Sequence, residues 1–180
     1  MKNHYIDNKE FLRVILEYRN EYYKAKENNI SVPKIPEYIG MCFIKIAENL
    51  AKKQNFNSYS FKDEKLLDAI ENCVQVCHNF DPEKSSNPFS YFTQITYFAF
   101  VRRIVKEKKQ LYIKYKATQQ FGILDETLLE DENGNVKQFE MYSNLNDYIG
   151  DYEEAMELDR QKRKGILHDE NDGEFEWMIW

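Results

Sequence analysis

The sequence predicts an all-α protein: a compact helical bundle with a long aromatic-then-basic helix and an extended acidic C-terminal arm. Three observations carry that prediction. Apolar residues recur at three- and four-residue steps from about residue 8 to residue 120. Helix-starting caps alternate with proline and asparagine breakers along the same stretch. From Asn87-Pro88 to about Lys116, nothing interrupts a single helix.

The elements follow in order. Asn8 is placed to cap a first helix, whose face is Phe11, Val14 or Ile15, Tyr18 and Tyr22. Asn28-Asn29 and the Pro33 to Pro36 stretch end it, because proline and the residue before it resist helix. A second helix carries Ile39, Phe43, Ile46, Ala47 and Leu50 on one stripe and runs out in the polar segment Lys53 to Ser58. Ser60-Phe-Lys-Asp63 has the form of a capping box and opens a third helix. Its expected face is Leu66 or Leu67, Ile70, Val74 and Cys77, and it stops before Asp81-Pro82. Asn87-Pro88 is the strongest start signal, a cap followed by proline at the first helical position. The long helix that follows is aromatic first (Phe89, Tyr91, Phe92, Tyr97, Phe98, Phe100) and basic later (Arg102, Arg103, Lys106, Lys108, Lys109, Lys114, Lys116). Rings fall on too many sides for one buried stripe, so some should be exposed. Beyond residue 122, Asn133-Gly134 suits a short hairpin between Leu128-Leu129 and Val136 to Phe139, and Asp151 to Lys164 suits a charged helix.

Composition narrows the function. The chain has 180 residues, net charge -6 and 15% aromatic residues. A mean hydropathy of -0.74 excludes a membrane protein. The amino terminus lacks the apolar block of a secretory signal, so the expected location is cytoplasmic. The net charge hides a division: residues 1–122 carry +6 and residues 123–180 carry -12. That asymmetry suits a nucleic-acid-facing body with an acidic tail.

Catalysis and metal binding find little support. Cys73, Cys77 and His78 cluster, with Cys42 as a fourth candidate, but a helix-face spacing of four is ordinary for buried free cysteine. Asp131 to Asn135 lacks the final Glu of a calcium loop. His4, His78 and His168 stand in no catalytic motif, and the few glycines form no phosphate-cradling loop. The expectation is a binding protein with no metal, no cofactor and no enzymatic activity. Lysine and arginine along the long helix attract phosphates, and exposed rings beside them are platforms for unpaired bases. Two tryptophans in Phe175, Trp177, Met178, Ile179 and Trp180, after an acidic spacer, have the form of a hydrophobic plug for a partner's pocket.

His78-Asn-Phe-Asp-Pro-Glu-Lys84, then Phe89-Ser-Tyr-Phe92 and Arg102 or Arg103, resembles the second conserved region of bacterial sigma factors. A closer resemblance is to the late-transcription sigma factors of T-even-type bacteriophages. It is carried by Asn8-Lys-Glu, Ile46-Ala-Glu48, Asn55-Phe56, Asn87-Pro88, Tyr91, Thr93-Gln94, Ala99-Phe-Val101, Arg103-Ile104, Lys106-Glu107 and Asp125-Glu-Thr127. The resemblance implies a sigma-domain-two-like body over residues 8–120, an acidic, partly ordered arm over 121–168 and a terminal motif over 169–180. It implies docking of Glu64, Leu67, Asp68 and Glu71 on the clamp helices of the largest subunit of core RNA polymerase. Tyr91, Phe92, Ile95, Tyr97 and Phe98 would capture bases of an AT-rich promoter element, and Arg102, Arg103, Lys106, Lys108 and Lys109 would hold the DNA backbone. Phe175, Trp177, Met178, Ile179 and Trp180 occupy the place of the motif that binds the phage sliding clamp. The implied setting is the cytoplasm of an infected bacterium, with a late co-activator as a further partner. Two departures stand out: the melting helix here has Phe and Tyr but no Trp, which leaves the ring-to-base register open, and no helix-turn-helix for a distal promoter element is expected. A polymerase-binding adaptor that does not touch DNA is the alternative.

Overall fold

A computed structural model describes residues 5–121 and 138–163. All regular structure among them is helical. The helices are α1 (Asn8–Glu27), α2 (Glu37–Ala51), α3 (Gln54–Asn57), α4 (Lys62–Val76), α5 (Pro88–Gln120) and α6 (Gln138–Arg163), with a 3-10 turn at Cys77–Asn79. The chain forms two compact units, Met1–Arg103 and Ile104–Trp180, so the division falls within α5. The expected body had run to residue 120.

In the first unit, α1 buries Phe11, Val14, Ile15 and Tyr18. Its cap is Asp7 rather than Asn8: the Asp7 carboxylate accepts the amides of Lys9 at 2.9 Å and Glu10 at 3.3 Å. Asn8 is used across the fold instead, its Oδ1 accepting the amide of Phe89 at 3.2 Å. The helix closes with Asn29 at φ 53, and the amides of Ile30 and Asn29 donate to the carbonyls of Ala25 and Lys26. This is a Schellman closure, in which asparagine takes the left-handed position that glycine usually holds. α2 follows Pro36 and buries the whole expected stripe together with Cys42 and Ala51.

α4 differs from expectation in two ways. It begins at Lys62 with no side-chain cap, so the Ser60 capping box does not form. Its buried stripe is Lys65, Ala69 and Cys73, continuing to Cys77, whereas Leu67 is 66% exposed and Val74 41%. The small side chains let α4 lie close against α2. Lys65 enters the same face because its surroundings accept a lysine. Its Nζ donates to the Phe56 carbonyl and lies 5.8, 5.6 and 5.2 Å from the ring centres of Phe56, Tyr59 and Phe100. The stem is apolar and the ammonium is held by a carbonyl and by ring faces, which carry negative potential. Phe56 reaches this site from α3, a single turn in a segment expected to be polar coil.

The start of α5 matches the sequence prediction and is fully accounted for. Pro88 has no amide to satisfy. The Phe89 amide goes to Asn8, the Ser90 amide to Asn87 Oδ1 at 3.1 Å, and the Tyr91 amide to the Asn87 carbonyl at 3.2 Å. The core below is a ring cluster centred on Phe92, with centroids 4.7 Å from Phe43, 5.7 Å from Phe11 and 6.4 Å from Phe80.

In the second unit, residues 104–120 of α5 pair antiparallel with α6. Tyr112 lies against Tyr152, Tyr115 against Tyr148, and Gln119 against Asn146. Ile104, Leu145 and Ile149 are buried here. α6 starts well before the expected Asp151, and Phe139 opens its first turn rather than closing a strand. Leu128-Leu129 and Asn133-Gly134 lie outside the described residues.

Candidate nucleic-acid interface

A helix advances 100° per residue, so Tyr91, Gln94, Ile95, Phe98 and Arg102 share one side of α5, while Phe92, Thr96, Ala99, Phe100 and Arg103 share the other. The structure follows that division. The second set is buried or nearly so. On the first, Gln94 and Arg102 are exposed, Phe98 is 38% exposed, and Tyr91 and Ile95 are half-buried. Tyr91 is braced edge-on by Phe80 at 5.4 Å and by Phe92 at 5.0 Å. Burial raises its phenol above the usual range. It therefore stays a neutral phenol, partly buried against the core. Tyr97 lies off this stripe, edge-on to Phe56 and to Phe98, both at 5.6 Å.

Two of the residues expected to meet DNA are corrected. Phe92 has no accessible surface. It is the centre of the core, and a base could reach it only if the unit unfolded. Arg103 is only 14% exposed and pairs with Asp68 at 3.5 Å, so its guanidinium is turned toward α4 rather than offered to a phosphate. Its neighbour Arg102 donates to Asn72 Oδ1 at 2.8 Å but keeps an exposed side chain. Asp68 and Arg103, expected to serve different partners, hold one another.

The expected docking residues do come together. Glu64, Leu67, Asp68 and Glu71 fall on one side of α4 with Val74 and Gln75, opposite the buried stripe. Gln75 Nε2 donates to Glu71 Oε1 at 3.1 Å. The result is an acidic ridge with two aliphatic side chains standing out of it.

In the second unit, Lys106, Lys109 and Lys114 are exposed, whereas Lys108 is half-buried and desolvation lowers its ammonium. Lys116 Nζ lies 3.0 Å from Glu153 Oε1, which also accepts from Tyr112 Oη at 2.8 Å. These two hydrogen bonds hold the Glu153 carboxyl below its ordinary range. Phe175, Trp177, Met178, Ile179 and Trp180 lie outside the described residues.

Sequence reasoning missed Lys65 and Tyr112. The i, i+4 spacing of Lys65, Ala69, Cys73 and Cys77 is the signal that would have found the first. Nothing in the sequence pairs Tyr112 with Tyr152. Among the described residues no three His, Cys, Asp or Glu side chains are grouped to hold a metal, and no helix is long and apolar enough to cross a membrane. No protein-family model matches the chain, and no curated protein matches it.

Proposed function

We propose that this protein is a sigma-like initiation factor of the T-even-type phage late class, which binds core RNA polymerase and helps open an AT-rich late promoter. The observation that carries this reading is the outward stripe of α5. It sets Tyr91, Ile95, Phe98 and the exposed Arg102 on one face of a helix whose other face is locked into the core. Rings at the surface with a cation one turn on suit an unpaired base and its phosphate. Phe92 and Arg103 act as the rigid backing of that stripe. Tyr97 supports Phe98 from the side, and Lys106 and Lys109 supply attraction to the backbone, with Lys108 contributing less because it is half-buried. The acidic ridge of α4, with Leu67 and Val74 exposed in it, is the docking surface for the clamp helices of the polymerase. Phe175 to Trp180 is the attachment to the sliding clamp, and the protein itself supplies no catalysis.

The test is promoter opening with purified core polymerase on a late-promoter template, read by permanganate reactivity of unpaired thymines. Tyr91→Ala with Phe98→Ala should abolish opening and leave polymerase affinity unchanged; opening at the wild-type level would refute base capture. The adaptor reading is favoured by one observation: Arg103 and Lys116 are already engaged within the chain. Crosslinking between the nontemplate strand and residues 91–102 separates the two readings.

A further inference from the structure

The second unit carries a basic and aromatic face of its own. At 100° per residue, Lys108, Lys109, Tyr112 and Lys116 fall within one sector of α5 about 100° wide, with the ring at its middle. α6 lies against this sector and offers it a specific pair of groups. The Tyr152 ring lies nearly parallel to Tyr112, with centroids 4.5 Å apart and planes 18° apart. The adjacent Glu153 places one carboxylate oxygen on both Lys116 Nζ and Tyr112 Oη, at 3.0 and 2.8 Å. Tyr148 Oη closes the other side by donating to the Lys108 carbonyl at 3.1 Å.

A flat ring stacked on a tyrosine, beside an anion held by a lysine one turn away, is what an unpaired nucleotide would present at the same place. We propose that Tyr112 and Lys116 form a binding subsite for one base and phosphate of single-stranded DNA, and that α6 occupies it in the free protein with Tyr152 and Glu153 in the places of base and phosphate. The acidic helix is then a competitor built into the chain. Over Tyr112 and Lys116 its hold is one ring stack and hydrogen bonds to a half-exposed carboxylate. A strand of high charge density can therefore displace it there while Leu145 and Ile149 stay packed, and displacement is easier as the local concentration of DNA rises. The proposal rests on the reading of α5 as a nucleic-acid element, and it adds a site beyond the Tyr91 to Arg102 stripe.

The measurement is fluorescence anisotropy of a labelled oligo(dT) of about 12 nucleotides with the full chain, without polymerase. Replacing Tyr152 by Ala together with Glu153 by Gln should tighten binding about fivefold, because the competing ring and charge are gone. In that background Tyr112→Ala should weaken binding roughly tenfold through loss of the stack. Lys116→Gln should lower the salt slope by about one. Helix content by circular dichroism accompanies each variant, and Glu153→Gln alone, with a smaller gain in the same direction, serves if the double variant loses helix. Unchanged affinity in the variants that keep their helices, or a released variant indifferent to Tyr112→Ala, would overturn the subsite. Binding that depends on Tyr91 and Phe98 but not on Tyr112 would remove this inference alone. Promoter opening unaffected by Tyr91→Ala with Phe98→Ala would remove the initiation reading alone.

Discussion

Residues 88–103 and 104–120 belong to one helix and are held by unlike forces. The first segment is anchored by rings packed on rings, with Phe92 at the centre and a fully satisfied amino-terminal turn. The second is held by two buried aliphatic residues of α6, two tyrosine pairs and hydrogen bonds that end at the surface. Apolar burial is not weakened by charge screening, whereas exposed ion pairs are. The contrast gives α5 a rigid half, suited to presenting a fixed stripe, and a half whose partner can be exchanged.

Three changes test that contrast, in order of expected effect. Phe92→Ala should cost about 3–5 kcal/mol, the range for removing a fully buried ring, and should lower the midpoint of chemical unfolding accordingly. A small effect there would mean that the first segment is not core-anchored. Lys65 comes next. Desolvation lowers its ammonium from the ordinary lysine value of 10.5. The folded state therefore binds the proton less tightly than the unfolded chain, and stability should rise with pH between the lowered value and 10.5. Lys65→Met should abolish that alkaline rise while preserving the fold, since the thioether side chain fills the ring-lined space without a charge. A wild-type protein whose stability stays flat across that alkaline window would contradict the desolvated state of Lys65.

The smallest effect belongs to Glu153. Its carboxyl is held below the ordinary range, so its contribution is present above the usual glutamate value and is lost as pH falls through the lowered one. The hydrogen bond also raises the Lys116 ammonium, so that end of the pair persists until pH passes above the ordinary lysine range. Raising salt should speed hydrogen exchange in α6 and leave the apolar α2 unaffected. Equal response in both units would erase the distinction between them.

Much of the first unit was legible. The α2 stripe and the Asn87-Pro88 start follow from spacing and capping alone, because a helix imposes its period on whatever it buries; the four residues of the α4 ridge are what the family resemblance implies. The inward register of α4 did not follow. Periodicity ranks residues by hydrophobicity and so places Leu66 or Leu67 and Val74 inside, yet the close approach to α2 selects Ala69 and Cys73, and a carbonyl with three rings makes Lys65 a buried residue. The cap of α1 shifted by one residue for a similar reason. Asn8 was a valid cap locally but is used by the amide of Phe89, far away in sequence.

The amino-acid sequence by itself determined that the described chain is helical, where most helices begin and end, and which aromatic and basic residues share the long helix. Those are local matters of backbone restriction, capping chemistry and period. Only the tertiary structure decided which rings are core and which are surface, that Arg103 answers Asp68, and that an acidic helix lies on the lysines of α5. Each of these depends on what a side chain meets from another element, and no spacing along one helix encodes that.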